Sequence, residues 1–435
     1  DKVCSLQRRL LQSWVQAELR RRKMRPLAIG FLLVGCGART ELDWSLPNDG
    51  GLLDTSNVGD TSVDAPDSSQ DASIRNVAVG ISEDTILYLR DGEVFSWGWN
   101  AFGEIGDGTN NDRHVPTLVS GLHLVAELSA SHDSACVRLI NGVVECWGLN
   151  LSNLRAMDGG GGDLHQPFPI GVTDATQLSH GGGNTFCVAK NDGSHTCWGN
   201  RAPGLIPGVP QIGLGTPIAT PAFDHATSVA TDDSFTCAIF SGTVECSGFD
   251  HNGELGDGRT PDQDPKNPFK NSRAYLLPVI GVDDVAAVSL GTNAGYALRS
   301  DRTVRWWGAM YRPGATPGDL VVVEEHLTAV DLGLSGVIQI AAAGGHVCAL
   351  LSDRTVTCRG LNLFGQLGDG TRDSTTNFHP VPGLKNVTQI AVGFFNTCAI
   401  INDTELYCWG SNAFGQMGNG VAGSAQLTPA KVNGL

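Results

Sequence analysis

Ten of the twelve cysteines stand in five short-range pairs: Cys136/Cys146, Cys187/Cys197, Cys237/Cys246, Cys348/Cys358 and Cys398/Cys408. Cysteines at this density serve either as thiolate ligands for zinc or as disulfides. Zinc sites take four ligands at close spacings such as C-x2-C, and no nearby pair supplies them. The residues between paired cysteines read instead as strand, turn and strand. In "CVRLINGVVEC" a three-residue loop, Ile140-Asn141-Gly142, with glycine in the left-handed position, sets Cys136 opposite Cys146. In "CAIFSGTVEC" the two-residue loop Ser241-Gly242 does the same for Cys237 and Cys246. Facing residues of a hairpin lie about 4.5–5.5 Å apart at Cα, within disulfide reach. Five disulfides are expected in preference to metal or free thiols, and with them an oxidising compartment.

The remaining two cysteines differ in kind. Cys4 lies in a leader, and Cys36 ends the run "PLAIGFLLVGC" that follows Arg20, Arg21, Arg22, Lys23 and Arg25. A basic segment, a short apolar segment and small residues before a cysteine make a secretory signal, too short to span a membrane as a helix. "LVGC" also resembles the bacterial lipobox, in which the cysteine is lipidated and becomes the first mature residue. Met24 stands where such a signal would start, so residues 1–23 are expected to lie upstream of the translated product. The expected organisation is a leader and signal peptide over 1–35, a lipidated Cys36 with an acidic tether to residue 73, and a globular part over 74–435. The tether is rich in Asp, Ser, Gly and Thr and has too little apolar surface to fold.

Charge narrows the partners. The whole chain carries a formal −16; removal of 1–35 takes away eight Lys/Arg and two Asp/Glu, leaving 21 basic residues against 43 acidic ones and a charge of −22. A surface that negative repels phosphate backbones, so nucleic acid is not an expected partner. The globular part contains no nucleophile elbow, phosphate loop or HExxH motif, and no spacing marks a Ser-His-Asp triad. The expectation is a protein without catalysis, cofactor or metal.

The elements that hold the cysteines repeat. Aligning the Trp-Gly step gives Trp97, Trp147, Trp198, Ser247, Trp307, Arg359 and Trp409, at intervals of 50, 51, 49, 60, 52 and 50 residues. Each unit reads as an apolar stretch, a strand, a turn, a second strand, a glycine-rich loop and a short strand with Pro and Val. Four short strands cannot cover both of their own faces, whereas seven such sheets set radially bury one another. The fold class is all-β, a seven-bladed β-propeller. Every unit has both cysteines or neither: unit one carries Ile86 and Ser96 at those positions, and unit five carries Tyr296 and Trp306. Random placement would give such complete pairing about 2% of the time, which supports covalent pairing.

The loops "NAFGEIGDGT" (100–109), "DHNGELGDGR" (250–259), "NLFGQLGDGT" (362–371) and "NAFGQMGNGV" (412–421), with the preceding "CWG", closely resemble the regulator of chromosome condensation repeat family. Units two, three and five lack this loop, and Ser247 and Arg359 replace the tryptophan. The resemblance implies a seven-bladed propeller. Members of that family include a nuclear guanine-nucleotide exchange factor that binds chromatin and secreted bacterial propellers that inhibit β-lactamases. It therefore implies a rigid disc whose loops grip another protein.

The loop carboxylates Asp107, Asp257 and Asp369, with Asn419 at the equivalent position, are read as turn caps beside left-handed glycines. His346 is read as a packed core histidine. One candidate binding segment is "RTPDQDPKNPFKNSRAYLLP" (259–278), where Lys266, Lys270 and Arg273 stand beside Phe269 and Tyr275. A second is the Pro/Gly-rich apolar stretch 201–223. The reading is a monomeric, lipid-anchored, extracytoplasmic propeller of a Gram-negative-type envelope that binds a protein or surface glycan. Inhibition of a secreted or periplasmic enzyme is the alternative. A hydrolase, lyase or exchange-factor activity ranks below both.

Overall fold

The computed structural model describes residues 76–149, 162–179, 183, 185–199, 206–207, 214–259, 272–314 and 320–435. Signal, tether and Cys36 lie outside the described residues. Strands form seven four-stranded antiparallel sheets, each built from four consecutive strands. These blades span 77–118, 125–169, 175–219, 228–278, 285–331, 337–380 and 387–431, numbered 1 to 7 below. In blade 1 the strands run Val77–Ile81, Thr85–Arg90, Glu93–Gly98 and Arg113–Leu118, from the inner strand to the outer. The first strands of neighbouring blades pack against one another around the central axis, and blade 7 meets blade 1 to close the ring. Because every blade draws all four strands from one stretch of chain, side-chain packing closes the ring and no strand is exchanged. Among the described residues, no helix is long and apolar enough to cross a membrane.

The core is divided among the junctions. Seven apolar clusters each straddle one pair of adjacent blades. The cluster between blades 7 and 1, for example, joins Val79, Ile86 and Trp97 to Cys398, Cys408 and Met417. Trp97, Trp147, Trp198, Trp307 and Trp409 are all fully buried in these seams. Each contributes about 4–6 kcal/mol of gross transfer free energy at about 25 cal/mol per Å². The alternation of strand directions puts the inner turns and the glycine-rich loops on one face, called here the loop face. The tight hairpins between second and third strands project from the other.

Those hairpins pair as the spacing predicts. Cys136 faces Cys146, Cys187 faces Cys197, Cys237 faces Cys246, Cys348 faces Cys358 and Cys398 faces Cys408. All five pairs are disulfide-bonded, with Cα atoms 4.1 Å apart. Gly142 at φ +84° closes the three-residue loop, and Ser241 (φ +49°) with Gly242 (φ +85°) forms the two-residue one. Blade 1 differs from the expectation by one position. Its two-residue turn, Asp91-Gly92, sets Leu87, not Ile86, opposite Ser96. Tyr296 faces Trp306 in blade 5, as expected.

Blade 5 departs from the four-short-strand pattern. Its third strand runs over Val304–Pro313 and its outer strand over Leu320–Asp331. The segment "AMYRPG" lacks the spaced glycines that turn the chain elsewhere, so pairing continues outward into a projecting hairpin. Leu320, Val321, Val322 and Val323 of that hairpin are exposed.

Candidate functional site at the loop face

The glycine-rich loops are the most regular feature of this face, and each position has a defined partner. A buried Asn opens the loop: the side chains of Asn100, Asn362 and Asn412 accept hydrogen bonds from the amides of Ile105, Leu367 and Met417. Asp250 does the same for Leu255 in blade 4. Glu104, Gln366 and Gln416 accept from the amides of Phe102, Phe364 and Phe414, and Glu254 from that of Asn252. Asp107, Asp369 and Asn419 accept from the amides two residues on, and Asp257 accepts from Arg259, which makes them turn caps.

Each loop then grips the next blade. The indole N–H of Trp147 donates to Glu104 O, that of Trp307 to Glu254 O, that of Trp409 to Gln366 O and that of Trp97 to Gln416 O, all at 2.8–2.9 Å. A glycine of the loop lies flat on each indole. A Cβ on Gly368 would stand 2.6 Å from Trp409 Nε1, and one on Gly418 3.0 Å from Trp97 Nε1. His346 joins the seam between blades 6 and 7: its Nε2 donates to Thr397 Oγ1, whose hydroxyl donates to Gln366 O. Burial pushes the His346 imidazole down to about 3, so it is a neutral core residue.

Blade 4 pairs two acids, Asp250 and Glu254, where blades 6 and 7 pair two amides and blade 1 pairs Asn100 with Glu104. Burial pushes Asp250 up to about 6 and Glu254 up to about 7.

Aromatic rings lead from the loops towards the axis. Phe364 of blade 6 meets Phe395 of blade 7 at 5.1 Å, Phe395 meets Phe394 at 6.0 Å, and Phe394 meets His132 of blade 2 at 5.1 Å. Leu363 and Phe364 are exposed at the start of this path. At its end, the inner turns bring Glu83, His132, Asp133 and Asp233 together from blades 1, 2 and 4. His132 Nδ1 is 3.1 Å from Glu83 Oε2 and 3.4 Å from Asp133 Oδ2; its Nε2 is 3.8 Å from Asp233 Oδ2. Burial lowers the His132 pKa, but the Asp133 hydrogen bond and the charges of Asp233, Glu83 and Asp133 outweigh it and hold the imidazole at about 10. Burial and the adjacent Asp233 raise Asp232 well above the usual carboxylate range.

At the opposite mouth lies a cleft of ≈ 350 Å³ between blades 6, 7 and 1, lined by Val77, Gln339, Gln389 and Ile400 among others.

Sequence reasoning found the disulfide positions, the loop caps and the packed histidine, but not the axial group. Its members come from three units and share no local motif. The one available signal was positional: Glu83, His132 and Asp233 occupy matching inner turns of their repeats. The predicted binding segment divides. Lys266, Phe269 and Lys270 lie outside the described residues. Arg273 and Tyr275 belong not to a loop but to the outer strand of blade 4, Arg273–Pro278, because that segment pairs with the third strand. Arg273 is half-buried there and Tyr275 is exposed.

Models of the regulator of chromosome condensation (RCC1) repeat match residues 91–137, and a second model of the same repeat matches 337–366 and 387–416. The ultraviolet-B receptor UVR8 of Arabidopsis thaliana is 27% identical over 307 residues, which cover 66% of this chain and 66% of that protein. The match thus spans just under two thirds of that relative. Among solved structures, Prp20p from Saccharomyces cerevisiae superposes with a TM-score of 0.66 at 17% identity, covering 83% of this chain and 87% of its own. Human WBSCR16 gives 0.64 at 20% identity, covering 79% and 94%. Residues 91–137, 337–366 and 387–416 thus match the RCC1 repeat, and the described strands form the ring of seven four-stranded blades in which those repeats sit.

Proposed function

We propose that this protein is a non-catalytic scaffold that docks a folded protein on its loop face, outside the cytoplasm. The observation that carries the reading is the aromatic path from exposed Leu363 and Phe364 through Phe395 and Phe394 to the axis. Aromatic residues at the centre of a rigid surface are the usual anchors of protein interfaces. The blade 5 hairpin, with Leu320 to Val323 exposed, emerges on the same face. The use made of the fold by a relative supports the reading: Prp20p is described with binding properties to Gsp1p and histones, and a yeast structure has Kap60 bound to it. Five disulfides favour an oxidising compartment, and the "LVGC" sequence favours anchoring through lipid on Cys36.

The full chain, immobilised and exposed to envelope extract, should retain one protein at constant stoichiometry. Phe364→Asp together with Phe394→Asp should abolish retention, while Ile140→Asp on the opposite face should leave it intact. Equal loss from both faces, retention of polysaccharide alone, or substrate turnover by the purified chain would overturn the proposal. Membrane retention should disappear with Cys36→Ser; persistence there would refute the anchor.

A further inference from the structure

Protein docking leaves the polar group at the axis unexplained. Glu83, His132 and Asp133 each offer a ligand atom within 4.8 Å of the others, and His132 Nδ1 stands 3.1 Å from Glu83 Oε2 and 3.4 Å from Asp133 Oδ2. A tetrahedral zinc centre with bonds of about 2.0–2.1 Å sets its ligand atoms about 3.4 Å apart, so the triad is already close to a coordinating spacing. The other ring nitrogen points at Asp233 Oδ2, 3.8 Å away. A carboxylate in that position fixes the tautomer and orientation of a metal-bound imidazole.

A separate feature points the same way. Asp232, in the same turn as Asp233, is only 5% exposed, and its Oδ1 has no hydrogen-bond partner among the described residues. The side-chain charges that act on it are those of Asp233 and His132. Three carboxyl groups, those of Glu83, Asp133 and Asp233, thus lie within 3.1–3.8 Å of one imidazole, and a fourth, Asp232, is buried next to Asp233 with an unpartnered oxygen, a donor set that a divalent cation would satisfy.

We propose that Glu83, His132 and Asp133 bind one divalent transition cation, with zinc the best match, and that Asp233 orients the imidazole. The mixed nitrogen and oxygen donors decide the class, since calcium and magnesium take oxygen ligands. Three protein donors leave a fourth position for water. The ligands come from the inner turns of blades 1 and 2, so the cation pins that seam at the axis.

Calorimetric titration of the full oxidised chain with Zn²⁺ should saturate at one equivalent. Glu83→Gln and Asp133→Asn, which keep side-chain shape, should each weaken binding at least tenfold, and Asp233→Asn about tenfold. Retained far-ultraviolet circular dichroism separates ligand loss from unfolding. Co²⁺ in place of Zn²⁺ should give tetrahedral d–d bands without a sulfur charge-transfer band. No saturable Zn²⁺ binding below about 0.1 mM would overturn the assignment. So would binding indifferent to these variants, a sulfur band that assigns the metal to Cys4 or Cys36, or Ca²⁺ binding in preference to Zn²⁺.

Discussion

Two kinds of blade junction coexist in this ring. At 7–1, 1–2, 4–5 and 6–7, a glycine-rich loop of one blade accepts the indole N–H of the next blade's tryptophan. The other three junctions follow blades without that loop. At 2–3, Trp198 persists, stacked 5.9 Å from Phe186, and its Nε1 has no hydrogen-bond partner among the described residues. At 3–4 the tryptophan has become Ser247, and at 5–6 it has become Arg359. Arg359 lies over Trp306 at 4.8 Å and over Phe378 at 5.2 Å. Trp306 itself stands where other blades carry a cysteine. Two departures from the repeat are thus one substitution: a disulfide and an indole exchanged for a cation between aromatic rings. In this chain every junction with the loop carries the tryptophan, and two of the three without it do not; a buried indole N–H left without an acceptor is a cost that Ser247 and Arg359 avoid.

The largest test is deletion of the seam residue. Trp409→Ala should destabilise by about 3–5 kcal/mol, and Arg359→Ala by about 1–3 kcal/mol, measured as shifts in denaturant midpoint. Equal losses would break the distinction between the two kinds of junction. Next, Gly368→Ala combines φ +71° with a Cβ 2.6 Å from Trp409 Nε1, and should cost about 2–4 kcal/mol. Gly383→Ala, at φ +84° with open space around it, should cost about 1 kcal/mol.

Within the intact set, blade 4 sharpens the comparison through pH. Asp250 and Glu254 have folded pKa values of about 6 and 7, above those of an unfolded chain. The folded state therefore holds protons that the unfolded state releases between about pH 4 and 7, and stability falls as pH rises through that window. Asp250→Asn with Glu254→Gln should stabilise by about 1–3 kcal/mol at pH 7.5, and the gain should vanish near pH 4. A gain that persists at pH 4 would refute burial of the charge as its cause. The smallest effect compares two indole N–H groups. Trp409→Phe removes the hydrogen bond to Gln366 O, and Trp198→Phe removes an N–H with no partner among the described residues, so the first should cost about 1 kcal/mol more. Identical losses would mean that the loop contact contributes nothing.

The ring was legible because fifty-residue periodicity, strand alternation and paired cysteines are all local signals that agree. Hairpin register followed from loop length alone, and it failed only at Leu87, where a shorter turn shifted the opposed position by one. The long hairpin of blade 5 was missed because nothing in "AMYRPGATPG" states how far a strand will continue once the turning glycines are lost. Arg273 and Tyr275 were placed in a loop because a six-residue outer strand after an insertion carries little pattern of its own.

The sequence by itself determined seven four-stranded sheets, their covalent staples and the caps of their loops, since each depends on residues within a single repeat unit. Tertiary structure decided which loop meets which tryptophan, because those hydrogen bonds cross 43 to 319 positions of chain. It also gathered Glu83, His132 and Asp233 at the axis. Closing a ring converts equivalent positions in separate repeats into neighbours, and no local pattern encodes the distance across a circle.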